Sequence, residues 1–565
     1  MSKKVVIIGG VAGGASVAAR LRRLDEGADI TMFERGEHVS FSNCALPFFL
    51  SRTVEDSERL VLMNPSKFLK QYNIKAKTKH EVLKINPEQK TVLVKDLDTG
   101  KEFGESYDVL LLSPGARPVL PRSIKGIDKS HVFGIRNVTD IRALDDYIGK
   151  HNAEHITVVG AGFIGIEAAE NLRHAGKKVT VVEKLNQILP VFDYDMVQIL
   201  HKEMYDKGIN LILENGLSEI TDTEVILENG AKIKSDVVIC AIGVAAETEL
   251  AKDCGIEIGE TGAIKVNHNY ETSIKDIYAV GDAIEVTHRI TRKKARLTLA
   301  GPAQKQARAA ADAICGKKST NRGVIGSSVI RCFDFNAAST GLNEKQCKAA
   351  GIDYDYAYII PADKVSIMPD AHPLFFKLLF ARPTGEILGA QAIGKGNADK
   401  RIDVIAAMIG MGATVEDLKE AELCYSPLYG TAKDAVNYAA LVASNLLDGT
   451  FRQVHVSDVR TLVESGARFI DVREKHEFEA AHIKNATNIP LSELRERIHE
   501  IPSDKPVYVH CRSGQRSYNA VCALQGAGRT NVYNVSGSFL GLCEYEYFTD
   551  RISGREPIVT AYNFK

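Results

Sequence analysis

Short apolar runs that stop at a glycine, each followed by a helical spacing of small and apolar residues, mark this chain at several points. Residues 3–24, KKVVIIGGVAGGASVAARLRRL, read as a strand, a glycine turn and a helix. Residues 155–184, HITVVGAGFIGIEAAENLRHAGKKVTVVEK, repeat that order and add a second strand. Further strands are predicted within ADITMFERG at 28–36, LLLSPGARP at 110–118 and TSIKDIYAVGDA at 272–283. After a short polar linker, LLDGTFRQVHVSD, a new pattern begins near residue 455. There ARFIDVREKHEFEAAHIKNATNIP gives a strand, an acid–arginine turn, a helix and a loop, and KPVYVHCRSGQRSYNAVCAL gives a strand, a loop and a helix. Apolar strands alternating with helices predict an α/β architecture.

Composition narrows the classes. A chain of 565 residues is too long for one core, so three or four domains are expected. Hydrophobic residues make up 45%, charged residues 25%, and the net charge is −1, which leaves no basic excess for nucleic acid. No apolar run approaches the roughly 20 residues of a membrane span. The run after Lys3 and Lys4 meets glycines with no cleavage pattern behind it, so it reads as a first strand rather than a signal peptide. Ten cysteines are scattered with neither zinc-ligand spacing nor a disulfide framework, which predicts a cytoplasmic, reducing location and no metal.

The glycine spacing carries chemistry. Gly9 and Gly14 stand where the first and third glycines of a dinucleotide fingerprint belong, with Val11 in place of the second. Glu34 ends the next strand, about 20 residues beyond the turn, where a ribose-binding acid is expected. The second module is complete: Gly160, Gly162 and Gly165, then Glu183. An acid there accepts from a ribose 2′-hydroxyl and repels a 2′-phosphate, so NADH is favoured over NADPH, a preference tempered by the adjacent Lys184. A third strand ends in Gly281 and Asp282, an acid placed for a ribityl hydroxyl of FAD. The stretch SFSNCALP, 40–47, holds one cysteine with no cysteine partner nearby. Cys44 reads either as a packed apolar residue or as a thiol at the start of a helix, where a thiolate is favoured.

The order of glycine turn, SPGA with Gly115, glycine turn and AVGDA resembles the two-dinucleotide-binding flavoprotein disulfide reductases over residues 1 to about 445. The resemblance implies an FAD-binding domain from 1–112 and 246–325, an NAD(P)H-binding domain at 113–245, and a dimerisation domain at 326–445, hence a homodimer. Dithiol members carry two cysteines separated by four residues; here Phe49 stands at the second position. SFSNCALP is similar to the active-site stretch of coenzyme A disulfide reductases. That likeness implies Cys44 as the redox nucleophile, Ser40 and Asn43 against the pantetheine arm, and Ser16, Arg20 and Arg23 facing the substrate, where arginines suit the phosphates of an ADP moiety. Read without it, Arg20, Arg22 and Arg23 form a solvated basic helix end. AELCYSPLYGTAKDAVN, 421–437, resembles that family's C-terminal signature, implying that Tyr425 of the other subunit reaches Cys44 and that Lys433 meets a substrate phosphate. Where the family has a Tyr-Tyr-Pro-Gly stretch this chain has IMPD, so Ile367 replaces a tyrosine, and persulfide is expected to be a better substrate than coenzyme A disulfide.

The tail resembles a single-domain rhodanese at 455–565, with Asp471, Arg473 and His482 upstream of a loop from Cys511 to Arg516. A cysteine between a strand and a helix N-terminus sits in a cradle of backbone amides that favours an anion. The resemblance implies a persulfide on Cys511, with Arg512 and Arg516 stabilising its charge or guiding an anionic donor. The expected fold is α/β throughout: two Rossmann-like dinucleotide-binding domains, an α+β dimerisation domain and a C-terminal α/β rhodanese domain. The expected activity is FAD-dependent, NAD(P)H-driven reduction of coenzyme A persulfide or polysulfide, with no nucleic acid, metal or membrane partner. Two alternatives stay open: an NADH oxidase or peroxidase cycling Cys44 as a sulfenate, and a sulfurtransferase on a flavoprotein scaffold.

Overall fold

In the computed structural model, residues 2–319 and 321–564 are described. The chain divides into two compact units, Met1–Asn186 with Ile212–Val324, and Gln187–Leu211 with Ile325–Lys565. No helix among the described residues is long and apolar enough to cross a membrane.

The first unit begins with β1 (Lys4–Ile8), α1 (Ala12–Leu24), β2 (Asp29–Phe33), β3 (Lys75–Lys77) and β4 (Val109–Leu112). It continues with β5 (His155–Val159), α2 (Phe163–His174), β6 (Lys178–Val182), β7 (Val237–Cys240), β8 (Ile277–Ala279) and α3 (Ala300–Ile314). One five-stranded sheet runs β8-β4-β1-β2-β3, and its strands are parallel, with Val5 opposite Ile30 on one side and Val109 on the other. A second sheet carries β6, β5 and β7 in that order, again parallel. Parallel neighbours need a crossover helix between them, which is why both glycine turns open into helices. Val5–Ile8, Ile156–Val159 and Val237–Cys240 are buried throughout, as strands covered on both faces must be. The strands predicted within residues 28–36, 110–118 and 272–283 form at Asp29–Phe33, Val109–Leu112 and Ile277–Ala279.

The second unit holds the antiparallel sheet β9 (Ser328–Cys332), β10 (Phe335–Gly341), β11 (Tyr354–Ile359), β12 (Leu374–Ala381) and β13 (Ile387–Gly394), in the order β9-β10-β13-β12-β11. Helices α4 (Ala398–Met411) and α5 (Ala435–Leu447) pack on it. Lys377 interrupts the apolar strand β12 and is fully buried. Its ammonium donates to both Asp195 oxygens at 2.8 Å and to Glu344 at 2.6 Å, and lies 3.2 Å from Asp193. A buried cation tolerates such a position only when fully partnered, and removing one partner of such a pair costs about 3–5 kcal/mol.

A third sheet follows in the same unit: β14 (Gln453–Val454), β15 (Arg468–Asp471), β16 (Thr487–Asn488), β17 (Val507–His510), α6 (Gln515–Gly526), β18 (Val532–Val535) and α7 (Ser538–Ser553). All its pairings are parallel, in the order β14-β18-β17-β15-β16. Alternation along β15 sends Ile470 into the core cluster that includes Cys511 and Phe469 into the one that includes Phe539. The polar stretch expected as a linker is partly built in, since Gln453 and Val454 form an edge strand of this sheet. On α5, Val442 and Leu446 pack on the same core cluster as Cys511, and Asn445 donates to the Tyr518 hydroxyl at 3.1 Å.

Candidate active site

The first glycine turn is dictated by backbone contact. Gly9 has φ +95°, and a Cβ on Gly14 would collide with the Gly9 carbonyl oxygen. The second module repeats this at Gly160 (φ +97°) and Gly165. Gly162 differs, since its φ is −77° and a Cβ there meets nothing within 4 Å. The space beside it is open, which is what close approach by a pyrophosphate requires. Its counterpart Val11 caps α1 with φ −100° and ψ −137°. Glu34 and Glu183 stand at matching strand ends. Glu34 accepts from the amides of Gly10 and Gly36, both at 2.8 Å, and Glu183 from Ala161 and Leu185 at 2.8 and 2.9 Å. Lys184 turns away from Glu183 to pair with Glu228 at 2.9 Å.

Gly9, Glu34, Gly115, Gly281, Asp282 and Cys44 line one cleft of about 830 Å³ in the first unit. Burial pushes the Asp282 carboxyl up to about 6. The glycine cradle, the strand-end carboxylate and the second acid along the cleft suit a dinucleotide, and these residues fit FAD.

Cys44 is the only cysteine among the described residues lining that cleft. It lies in a 3₁₀ turn, Asn43–Ala45, and is exposed. The expected helix start is displaced. The α-helix itself begins at Pro47 and spans four residues, so Cys44 stands in the 3₁₀ turn ahead of it. The surrounding protein pushes the thiol up, first by desolvation and then through the negative charges of Glu167 and Asp282. Glu167 lies on α2 and is itself raised to about 7 by burial and then Glu170.

A second groove of about 340 Å³ adjoins the cleft through Ser16, Ser40 and Gln304, which line both. Arg20 and Arg23 line it too, so four of the sequence-predicted substrate residues come together, while Asn43 lines the cleft beside Cys44. The three arginines of α1 are not one solvated end. Arg20 makes a forked pair with Asp312 at 2.9 and 2.7 Å. Arg22 is buried, donating to the carbonyls of Tyr72, Asp25, Glu26 and Asn73. Arg23 is exposed. Sequence reasoning missed Gln304 and Arg308 on α3. Ser16 donates to Gln304 at 2.7 Å, and Arg308 lines the groove. The signal was present, because Gln304, Arg308 and Asp312 recur every four residues and form one helix face, as Ser16 and Arg20 do on α1.

Tyr425 and Lys433 belong to the second unit and are exposed, as is Ile367 at 80%. The Lys433 ammonium lies 5.8 Å from the Tyr438 ring centre.

The loop at Cys511 is a closed cradle. Cys511 is buried, and its sulfur accepts from the Gly514 amide at 3.2 Å and lies within donor reach of the Ser517 and Ser538 hydroxyls at 3.5 and 3.9 Å. The Arg516 guanidinium forks onto Glu477 at 2.6 and 2.8 Å, holding that carboxyl down at about 2, and the guanidinium is raised first by Glu477, with the Cys511 charge adding to it. Arg512 is half-buried, and desolvation pulls its guanidinium down. Arg473 is spent on Asp471 and the Ala481 carbonyl, and His482 stacks on Phe478. An amide and two serines stand against the sulfur, and neither serine was singled out from the sequence.

Residues 3–307 match the family model of the pyridine nucleotide-disulphide oxidoreductases. The chain belongs to that family. Residues 328–435 match the dimerisation domain of the same oxidoreductases, and residues 455–544 match the rhodanese-like domain. A coenzyme A disulfide reductase of Staphylococcus epidermidis is 34% identical over 435 residues, 77% of this chain and 98% of that protein. Among solved structures, reduced CoADR-RHD of Bacillus anthracis is 42% identical with a TM-score of 0.94, covering 96% of this chain and 98% of that one. An NAD-dependent persulfide reductase from A. fulgidus is 34% identical with a TM-score of 0.89, covering 95% and 99%. An oxidoreductase of this family binds FAD and a pyridine nucleotide, and the mixed α/β fold with a rhodanese-like domain is as the sequence predicted.

Proposed function

We propose that this oxidoreductase reduces a coenzyme A persulfide or coenzyme A disulfide through Cys44, with NAD(P)H as reductant, and that its rhodanese-like domain handles sulfane sulfur at Cys511. The observation that carries the reading is a single cysteine lining the dinucleotide cleft, where an arginine-bearing groove opens beside it. Arg23 and Arg308 line the groove and suit phosphates, with Arg20 beside them paired to Asp312; Ser40 lines both groove and cleft, and Asn43 lines the cleft. The Cys44 thiolate attacks the inner sulfur of the persulfide. A bond forms between Cys44 and the coenzyme A sulfur, the persulfide S–S bond breaks, and hydrosulfide leaves with the electron pair. When bound along the cleft lined by Gly9, Glu34, Gly281 and Asp282, FAD would pass on two electrons from NAD(P)H, enough to return Cys44 to a thiolate and release coenzyme A as a thiol. Glu183 favours NADH. Tyr425 donates a proton toward the departing sulfur, and Lys433 pairs with a phosphate, both from a second copy of the chain. That copy would also cover the exposed Leu428 and Tyr429 in a homodimer. A cytoplasmic location is part of this reading, supported by ten cysteines with no disulfide framework in the sequence.

The test is the intact mass of the FAD-loaded protein after incubation with coenzyme A disulfide. A coenzyme A adduct is expected on Cys44, and Cys44→Ser should lose both the adduct and NADH-dependent persulfide reduction while retaining FAD. An adduct confined to another cysteine, or turnover surviving in the variant, overturns the assignment.

A further inference from the structure

Ser538 is the first residue of α7 and sits at φ +51°, directly after Gly537 at φ +76°. Two successive left-handed residues bend the chain sharply between β18 and α7. Glycine suits such a bend, and the second position holds a serine instead. A side chain in the left-handed region costs about 1 kcal/mol or more per residue. That side chain is fully buried, so exposure to solvent does not explain it.

Its hydroxyl points at the reactive loop. The oxygen accepts from the Cys511 amide at 3.2 Å and lies 3.9 Å from the Cys511 sulfur. It is 3.3 Å from the Ser517 hydroxyl, which is itself 3.5 Å from the same sulfur and 3.0 Å from the Gly514 carbonyl. The one proton of Ser538 has the Val535 carbonyl, at 3.2 Å, as a competing acceptor. A neutral thiol is a poor acceptor and leaves that proton with the carbonyl. A thiolate is a strong one and draws it in. The Arg516 guanidinium is forked onto Glu477 and acts on the sulfur through its charge, whereas the two hydroxyls lie within donor reach of it.

We propose that Ser538 is kept in its strained conformation because its hydroxyl holds the Cys511 loop amide and donates to the sulfur when that sulfur is charged. The inference rests on the reading of Cys511 as a sulfur carrier. In the transfer step the thiolate attacks the outer sulfur of an anionic donor such as thiosulfate. A bond forms between Cys511 and that sulfur, the thiosulfate S–S bond breaks, and sulfite leaves with the electron pair. A nucleophile such as cyanide then takes the outer sulfur, and the Cys511 sulfur departs with the electron pair of the broken bond. The inner sulfur carries full charge before the first step and after the second, and Ser538 serves both moments.

Two substitutions in the full-length, FAD-loaded protein separate this role from a structural one. Ser538→Ala keeps the strain and removes the hydroxyl; Ser538→Gly removes both. Thiosulfate-to-cyanide transfer, read from thiocyanate formed across a pH series, is expected to fall about tenfold at neutral pH in both variants. The pH of half-maximal rate should move upward by about one unit, the tenfold change restated as an ionisation. Thermal unfolding should show the Gly variant as stable as the parent or more so. Wild-type rates and profile in either variant overturn the proposal, as does a loss of rate with no movement of the profile. Loss in the Ala variant alone points to the backbone rather than the hydroxyl and also overturns it. No sulfur transfer by the parent protein would refute the sulfur-carrier reading itself, an outcome distinct from all of these.

Discussion

Cys44 and Cys511 are both reactive-cysteine candidates, and the chain treats them in opposite ways. Cys511 is buried, yet an amide and two hydroxyls are arranged around its sulfur. Cys44 is exposed, yet desolvation and the charges of two carboxylates, Glu167 and Asp282, oppose its ionisation. Burial alone therefore does not rank the two sulfurs. What differs is the sign of the groups aimed at each. The Cys511 loop is complete in its own fold and suits a sulfur that must hold charge unaided. The Cys44 turn restrains its thiol until the cleft and groove are filled, which fits a sulfur meant to react only with a bound carrier.

The largest effect should come from exchanging the two cysteines for serine. Cys511→Ser is expected to lose thiosulfate-to-cyanide transfer by roughly a thousandfold or more, as removal of a nucleophile does, while NADH-dependent reduction of added coenzyme A persulfide continues. Cys44→Ser should do the reverse. Side-by-side assays of thiocyanate formation and NADH oxidation decide it. If either substitution abolishes both activities, the sulfurs form one relay and the contrast between them dissolves.

What could be read from the sequence divides along similar lines. The glycine turns were legible because the contact that demands them, Gly14 against the Gly9 carbonyl, is made within six residues. The parallel strands followed from buried apolar runs. At Cys44 a 3₁₀ turn, Asn43–Ala45, comes first and the α-helix opens at Pro47, a division the sequence does not mark. The pairing of Arg516 with Glu477 was not legible, because Glu477 lies 39 residues away and nothing local announces the pair. Ser538 was invisible for the same reason, being 27 residues from Cys511 and brought to it by a turn whose backbone the sequence does not advertise. Local geometry writes itself into spacing. Cradles assembled from separate β–α units do not.

An intermediate effect should come from the groove. Arg23 is exposed on α1 and lines it without a role in the core, unlike Arg22. Arg23→Ala is expected to raise KM for a coenzyme A substrate by about tenfold, the usual weight of a charge-assisted contact to phosphate. Transfer of sulfur from thiosulfate should not change, because that small donor needs no groove. Steady-state kinetics with both substrates give the answer. An unchanged KM would leave the groove without a function and weaken the contrast, since Cys44 would then have no dedicated carrier beside it.

The smallest effect concerns the carboxylate that restrains Cys44. Glu167 ionises at about 7, and once charged it pushes the thiol upward. Glu167→Gln removes that charge, so the Cys44 thiolate should form at lower pH in the variant than in the parent. The sign fixes the window. Below about 7 the parent carboxyl is itself protonated, and the two proteins should be alkylated at the same rate. Above about 7 the variant should react a few-fold faster, the scale of one screened charge. Iodoacetamide labelling of the Cys44 peptide, followed by mass across that range, reads this directly, and the Cys511 peptide in the same digest serves as the internal reference. Equal rates at every pH would mean that Glu167 does not restrain Cys44, and the opposition between a prepared sulfur and a restrained one would rest on desolvation and Asp282 alone.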